Sequence, residues 1–364
     1  MWIIIILLVL AATFGSMLYL SSGVRRLGII DRYVSNYKVS RCASLLFVLA
    51  VFLILSVTIG FMNSMVCMIH AVIFWLICDG MAALIEKRKG KSSKKYYAGI
   101  YAVLLTIVYL VIGVFFAHHV FRTEYIIETQ KDISKPLKIV MFSDSHVGAT
   151  FDWKGFSEYV DKMNSEEPDA VIIAGDFVDD DTSREDMEKS CEALGNLKTA
   201  YGVYYAFGNH DAGYNSEERR GYGKDELISE LEKNGVVVLQ DETVNLTGNI
   251  FLCGREDKMT KDRIDMDTLM MGIDNEDYFI VIDHEPGDYE AQYKAGADLV
   301  LSGHTHGGQL IPINRVGELI GVNDMTYGHK RIENTDFIVS SGIGDWALDF
   351  KTGCISEYVV INIE

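Results

Sequence analysis

Five short segments of the sequence place histidine, aspartate or asparagine directly after a run of apolar residues. Imidazole, carboxylate and amide oxygen bind borderline-to-hard divalent cations, and none of the five segments contains a thiol. The candidate ligands outnumber the positions of one tetrahedral site and suit two ions that share a carboxylate. The seven candidates are Asp144, His146, Asp176, Asn209, His284, His304 and His306.

The apolar runs that precede these segments have the length and composition of β-strands. They are KIVMF (138–142), AVIIA (170–174), VYYAF (203–207), FIVI (279–282) and LVL (299–301). In an open α/β sheet the loops beyond the carboxyl ends of the strands share one crevice, so we expect the five segments to converge. Continuously apolar strands are usually covered on both faces, which predicts a layered α/β domain with helices outside. The candidate helices are 154–165, 183–198, 225–233 and 288–295.

Later apolar runs suggest a second sheet, whose strand order the sequence does not indicate. They are VVVL (236–239), IFLC (250–253), FIVS (337–340) and EYVVINI (357–363). Thr182 or Ser183 is a plausible N-cap for the second candidate helix. Glycines at 303, 307 and 308 allow the backbone beside the last two histidines to turn tightly and approach a metal or phosphate closely.

The segments DSH, GDFVD, GNHD, DHEP and GHTHGG, in this order, resemble those of the calcineurin-like metallophosphoesterases. The resemblance covers essentially all of residues 137–364 and is closest to the bacterial membrane-anchored branch of that superfamily. It implies a two-sheet sandwich flanked by helices, in agreement with the two sets of strands. It also implies a phosphoester hydrolase that uses two divalent ions, which could be Mn, Fe or Zn, to activate a water for in-line attack.

The resemblance also assigns roles to individual residues. One ion would bind Asp144, His146, Asp176 and His306. The other would bind Asp176, Asn209, His284 and His304, so that Asp176 bridges the two. His210 would protonate the leaving oxygen or stabilise charge as a non-ligand histidine, and Asp211 could orient it. Asp179 is expected to support a ligand from outside the metal centre or to cap a helix.

The first part of the chain differs sharply in composition from the second. Residues 1–136 carry 14 basic and six acidic residues, a net charge of +8, whereas residues 137–364 carry 19 and 45, a net charge of −26. Four apolar runs, 2–20, 43–61, 64–84 and 98–117, approach the roughly 20 residues that a membrane span needs. The first run could instead be a signal peptide, although it lacks a basic n-region and an obvious cleavage site.

These features predict a transmembrane region over residues 1–120, a connector over 121–136 and a catalytic domain over 137–364. The loops that follow the first and third runs are rich in Lys and Arg, which are retained in the cytoplasm, whereas the turn near Asn63 has no charge. We therefore expect a multipass protein of the cell membrane with its catalytic domain outside the cytoplasm. The basic residues of the two loops are Arg25, Arg26, Arg32, Lys38 and Arg41, then Lys87, Arg88, Lys89, Lys91, Lys94 and Lys95.

The predicted activity is hydrolysis of a phosphodiester or pyrophosphate, and the membrane region favours a lipid-linked or envelope substrate. A pyrophosphate resembling UDP-2,3-diacylglucosamine is one possibility, although the predicted orientation weakens it because nucleotide-linked substrates are expected inside the cell. One alternative is a phosphomonoesterase that acts on extracellular nucleotides or phosphoproteins. Another is a non-catalytic metal-bound sensor, which retention of His210 disfavours. The acidic domain makes nucleic acid a poor substrate, and no oligomeric state is indicated.

Overall fold

The computed structural model describes residues 2–91, 95–133, 135–215 and 217–364. Lys94 of the second basic loop and Ser134 of the predicted connector lie outside the described residues. The chain divides into two compact units, Met1–Val114 and Phe115–Glu364.

The first unit consists of long apolar helices. They are α1 (Trp2–Arg26), α2 (Tyr37–Thr58), α3 (Phe61–Lys89) and α4 (Ala98–His118). All four have a segment long and apolar enough to cross a membrane, which in α1 runs over Leu7–Arg26. Their shared core includes Phe52, Met68 and Trp75, while many other large apolar side chains remain exposed. This distribution is typical of helices that face lipid.

The turn between α2 and α3 differs from the prediction. Only Ile59 and Gly60 separate the two helices, and Gly60 adopts a positive φ of 85°. Asn63, the predicted turn residue, is buried inside the first turns of α3. Hydropathy did not mark the break because apolar residues continue through it on both sides.

The second unit contains two six-stranded sheets. The first has the order β1 (Val120–Ile127), β12 (Ser356–Ile363), β2 (Leu137–Phe142), β3 (Ala170–Ala174), β4 (Val203–Ala206) and β5 (Val236–Leu239). The second has the order β10 (Gly328–Ile332), β11 (Thr335–Val339), β9 (Leu299–Ser302), β8 (Tyr278–Ile282), β7 (Ile250–Gly254) and β6 (Glu242–Thr247). Strands β2 to β5 are parallel to one another, as are β7, β8, β9 and β11.

Helices cover the outer faces of this sandwich. They are α5 (Trp153–Asn164), α6 (Arg184–Leu194), α7 (Glu217–Arg220), α8 (Lys224–Lys233), α9 (Met266–Leu269), α10 (Tyr289–Ala295) and α11 (Val316–Leu319). Phe156 of α5 and Leu227 of α8 pack in the core outside the first sheet. Met266 and Tyr289 pack in the core outside the second sheet, and a third core fills the space between the sheets. The predicted two-sheet sandwich flanked by helices is confirmed.

The membership of the two sheets differs from the sequence prediction. The runs that form β5 and β12 were assigned to the second sheet, but both lie in the first. Conversely, β8 and β9 belong to the second sheet, although the segments that follow them resemble those after β2, β3 and β4. Strand β1, which lies almost wholly within the predicted connector, pairs in parallel with β12. Strands buried on both faces have similar patterns, so the pattern does not identify a strand's neighbours.

Candidate metal centre

The seven predicted ligands converge at the carboxyl ends of strands from both sheets. The loops after β2, β3 and β4 carry Asp144, His146, Asp176 and Asn209, and the loops after β8 and β9 carry His284, His304 and His306. Six of these side chains form two groups that could each hold an ion, with the potential ligand atoms of each group within 4.8 Å of one another. The groups are Asp144, His146 and His306, and Asp176, His284 and His304.

Asp176, a member of the second group, also lies close to the first group. Its Oδ2 atom is 3.0 Å from His284 Nε2 and 3.8 Å from His146 Nε2, one histidine from each group. In the first group, His306 Nε2 is 3.6 Å from Asp144 Oδ1. Asn209 joins the second group, because its Oδ1 atom is 2.8 Å from His304 Nδ1. The arrangement therefore places one carboxylate where two neighbouring ions could share it.

The backbone at five of the predicted ligands adopts a conformation that is unfavourable for side chains other than glycine. The φ angles are 51° at Asp144, 38° at His146, 52° at Asp176, 71° at His304 and 47° at His306. Positive φ at non-glycine residues is uncommon and concentrates at functional sites, where surrounding contacts hold it. Here the tight turns after the strands direct the side chains toward one another.

Two of the histidines are oriented by groups outside the centre. The Nδ1 atom of His284 donates a hydrogen bond of 2.7 Å to the carbonyl of Ala174, which leaves Nε2 available for a metal. Asp179 Oδ2 lies 3.4 Å from His146 Nδ1, and Asp179 Oδ1 accepts hydrogen bonds from two backbone amides of its own loop. Asp179 is therefore placed behind His146 as a supporting group.

The N-cap of α6 is Ser183, whose hydroxyl accepts a hydrogen bond from Asp186 N.

Several buried nitrogen atoms of the centre have no hydrogen-bond partner among the described residues. They are His146 Nδ1 and Nε2, His284 Nε2 and His306 Nδ1. Buried polar atoms in native proteins are normally hydrogen-bonded, and an imidazole nitrogen without a partner in a cluster of carboxylates suits a metal ion. The donor set and its unsatisfied atoms therefore fit two divalent cations.

The surroundings shift the pKa values of Asp176 and His304 toward the forms that bind metals. Burial lowers the pKa values of His146 and His284, but the neighbouring carboxylates raise them more, so these two imidazoles would have to lose a proton when a cation binds. Burial raises the pKa of Asp176, but His284, His146 and His210 lower it more, so the carboxylate stays ionised. Burial, followed by the effect of His284, lowers the pKa of His304 to about 4 and keeps this imidazole neutral. Carboxylates must be ionised and imidazoles neutral to act as ligands.

Asp211 does not contact His210 as the sequence analysis expected. Its buried carboxylate accepts hydrogen bonds from the backbone amides of Asp176 and Phe177, both at 2.8 Å, and of Gly208 at 2.7 Å. No hydrogen bond joins it to His210 in the described part of the chain. Burial, and then the charge of Asp176, raise the pKa of Asp211 to about 6. Asp211 thus fixes the turn that carries Asp176.

His210 lies beside the centre without belonging to either three-residue group. Its backbone amide donates to Asp176 Oδ1 at 2.8 Å. The ring is half-buried among aromatic neighbours, with centroid distances of 5.0 Å to His146, 5.1 Å to Tyr214 and 5.0 Å to Trp346. Sequence analysis did not identify Tyr214 or Trp346, because neither belongs to one of the five segments.

A further loop that the sequence analysis missed supports the centre. Asp345 Oδ1 lies 3.9 Å from His306 Nδ1 and 3.3 Å from the Nζ atom of Lys351. Lys351 is fully buried and donates to the carbonyls of Ser341 and Gly344. The signal in the sequence was weak, since four residues, SGIG (341–344), separate Asp345 from the apolar run FIVS (337–340).

Comparison with known proteins agrees with this geometry. The family model described as calcineurin-like phosphoesterase matches residues 137–308, which include all seven predicted ligands. An uncharacterized metallophosphoesterase of Helicobacter pylori is 32% identical over 240 residues, which cover 64% of this chain and 60% of that protein. One from Campylobacter jejuni is 27% identical over 315 residues, with 82% and 78% covered.

A third relative is called a transmembrane protein with metallophosphoesterase domain and comes from Danio rerio. It is 28% identical over 288 residues, which cover 75% of this chain and 64% of that protein. The chain therefore spans less than two thirds of the length of the Helicobacter and Danio relatives. Together with the four apolar helices, this relative supports association with a membrane.

Proposed function

Because this chain contains a calcineurin-like metallophosphoesterase domain, we propose that it hydrolyses phosphodiester or pyrophosphate bonds in a lipid-linked or envelope substrate. The observation that carries the proposal is the pair of three-residue groups, each with ligand atoms within 4.8 Å, that meet at Asp176. Buried imidazole nitrogens normally have hydrogen-bond partners, whereas three of the four converging histidines have a nitrogen without one, as suits a two-ion site.

The proposed ligands follow from this geometry. One ion would be held by Asp144, His146, Asp176 and His306, and the other by Asp176, Asn209, His284 and His304. When bound, the two ions supply positive charge that stabilises the phosphoryl group and lowers the pKa of water to near neutrality. Mn, Fe and Zn all accept ligands of these types, so the proposal does not specify the metals.

The protein's own residues perform the remaining steps. His210, which borders His146, would donate a proton or a hydrogen bond to the leaving oxygen from its ring. Trp346 and Tyr214 border this histidine. Asp211 acts as a positioning residue, because its carboxylate holds the turn that presents Asp176.

The substrate class is inferred from charge and membrane association. The net charge of −26 over residues 137–364 disfavours long polyanions, and the membrane helices favour a substrate held in or beside the bilayer. We also propose that residues 1–120 form a multipass anchor, that 121–136 connect it to a catalytic domain over 137–364, and that this domain lies outside the cytoplasm. A substrate resembling UDP-2,3-diacylglucosamine suits the chemistry, but its nucleotide would be found in the cytoplasm.

The test uses the full chain, stripped of metal and reloaded separately with Mn, Zn or Fe. A chromogenic phosphodiester is assayed beside the corresponding monoester, and bound metal is counted. We expect two ions per chain and diester turnover that Asp176→Ala abolishes. The matched control is Asp267→Ala, which changes an exposed aspartate on α9 and should retain full turnover.

Two results would contradict the proposal. Two bound ions without turnover of either substrate would favour a metal-bound sensor. A clear preference for the monoester over the diester would favour the phosphomonoesterase alternative.

A further inference from the structure

Residues 311–322 expose an unusual concentration of large apolar side chains. Six of the twelve exposed large hydrophobic residues described between 137 and 364 lie in this apolar segment. Leu319 is 82% exposed and Ile320 is 64% exposed. The other four are Ile311, Ile313, Val316 and Val322. A contiguous exposed apolar patch on a folded domain usually marks an interaction surface.

Hydrogen bonds hold the apolar segment in place, although its large apolar side chains are exposed. Ile311 N donates to the hydroxyl of Thr352 at 3.1 Å. The Glu318 carboxylate accepts a hydrogen bond of 2.6 Å from Thr326 N, which ties down one of the two charged residues of the segment. The exposure therefore belongs to a structured surface rather than to a loose loop.

The apolar segment directly follows the loop that carries His304 and His306 of the candidate metal centre. The segment begins five residues after His306, and Gln309 between them donates to Asp345 Oδ1 at 3.3 Å. Asp345 lies 3.9 Å from His306 Nδ1. The next residue, Trp346, is exposed and its ring centroid lies 5.0 Å from that of His210. A molecule bound to the apolar segment would therefore lie near the rim of the centre.

We propose that the apolar segment docks on the surface of the lipid bilayer and presents lipid-linked phosphoesters to the metal centre. The inference rests on the proposed function, whose substrate it restricts to molecules embedded in a bilayer. A bilayer is the expected binding partner of the segment, because the chain has four helices that are long and apolar enough to cross a membrane and would keep it beside one. Only His119 separates the last of these, α4, from β1, so the tether to the bilayer is short and the effective lipid concentration is high.

Charge supports the same occupant. Arg315 is exposed in the middle of the apolar segment, and its guanidinium has no hydrogen bond or ion pair among the described residues, as suits a side chain that reaches phosphate headgroups. A second copy of the chain is a poorer occupant. Two catalytic domains that each carry a net charge of −26 would repel one another at close range.

The test places a fluorophore in the apolar segment of the full chain reconstituted in phosphatidylcholine vesicles, whose zwitterionic surface does not repel the acidic domain. Leu319→Cys is labelled in a Cys42→Ser, Cys67→Ser background and exposed to a phospholipid that carries a nitroxide in its headgroup region. Met271→Cys is the matched control, because Met271 is a comparably exposed apolar residue (78%, against 82% for Leu319) outside the segment. Since a docked side chain lies at the headgroup boundary, we expect about twofold stronger quenching at 319 than at 271.

Equal quenching at the two positions would overturn the proposal, as would cross-linking of position 319 between two copies. A second readout compares turnover of a phospholipid diester in the vesicles with turnover of the soluble chromogenic diester. Leu319→Asp with Ile320→Asp should lower the ratio of the two rates about tenfold, because charged side chains oppose docking, whereas Met271→Asp should not. If the unmodified chain hydrolyses neither substrate, the proposed function fails, while the quenching measurement still decides whether the segment docks.

Discussion

At the scale of single residues, the candidate centre concentrates conformational strain in its ligands. A non-glycine residue at positive φ costs on the order of 1–3 kcal/mol and persists only where other contacts determine it. At Asp144 those contacts are hydrogen bonds from its own amide to Gly175 and from the Gly344 amide to its carbonyl. At His146 the amide bonds to the carbonyl of Asp176. One ligand loop thus holds another, so the ligands form a mutually supporting set.

Asn209 is the predicted ligand whose orientation depends most clearly on a single neighbour. Its Nδ2 atom donates a hydrogen bond of 2.6 Å to the hydroxyl of Tyr214, and this bond turns Oδ1 toward His304. An amide flip would replace the oxygen, a potential ligand, with an NH₂ group that cannot bind a cation. Tyr214 is therefore a positioning residue for the second proposed ion.

We predict that Tyr214→Phe weakens binding of one of the two ions and leaves the other in place. Loss of a supporting hydrogen bond to a metal ligand typically costs about 10–100-fold in affinity or activity. Metal titration followed by counting of bound ions measures the effect, and added metal should partly restore turnover. Tyr293→Phe, in the core outside the second sheet, is the control and should bind both ions normally. Unchanged affinity for both ions in Tyr214→Phe would show that Asn209 is held by other means.

At the scale of secondary-structure elements, the centre depends on how closely strand ends from two sheets approach each other. Gly303 follows β9 of the second sheet, and a Cβ atom on it would lie 2.6 Å from Ser143 Cβ at the end of β2 in the first sheet. The same atom would collide with the Asp144 carboxylate. Real Cβ atoms do not approach this closely, so a side chain at 303 would separate the loops that carry the ligands.

Gly303→Ala should therefore lower turnover about 100-fold, because displacing a reactive group by about 1 Å has an effect of that order. Bound metal should fall as well, whereas the folded state should persist, since one methyl group of overpacking costs about 1–3 kcal/mol. Thermal unfolding, metal content and turnover measured together separate these effects. Gly195→Ala is the control, because Gly195 has an ordinary φ of −62° at the end of α6. Full turnover in Gly303→Ala would mean that the loops can separate without loss of the centre.

The strands that carry the ligands could be predicted from the sequence, but their partners could not. An apolar run followed by a polar segment identified β2, β3, β4, β8 and β9, because both features are local. Sheet membership depends on contacts between residues far apart in the chain, which explains the wrong assignments of β5 and β12. The direction of a side chain is equally non-local. Asp211 was expected to orient the adjacent His210, yet its carboxylate accepts hydrogen bonds from backbone amides of the preceding loop.

At the scale of the whole molecule, composition predicted the division of the chain well because charge and hydropathy are averages over many residues. The structure divides between Val114 and Phe115, a few residues before the expected boundary at 120. The predicted connector over 121–136 also differs, since residues 120–127 form β1 and pair with β12 in the first sheet of the second unit. The alternating burial pattern of β1 resembles that of a polar connector, so composition alone did not reveal it.

The last prediction concerns the orientation of the whole chain in the membrane. Basic residues cluster in the last turns of the first and third apolar helices and in the segments that follow them, and short segments rich in Lys and Arg remain in the cytoplasm. A reporter fused after Glu364 should therefore be active if it requires an extracytoplasmic location and inactive if it requires the cytoplasm. Fusion after Gly90, at the end of α3, should give the opposite pattern. Cytoplasmic activity of the reporter after Glu364 would contradict the proposed orientation. It would also favour a nucleotide-linked pyrophosphate as substrate, because the metal centre would then face the compartment that contains nucleotides.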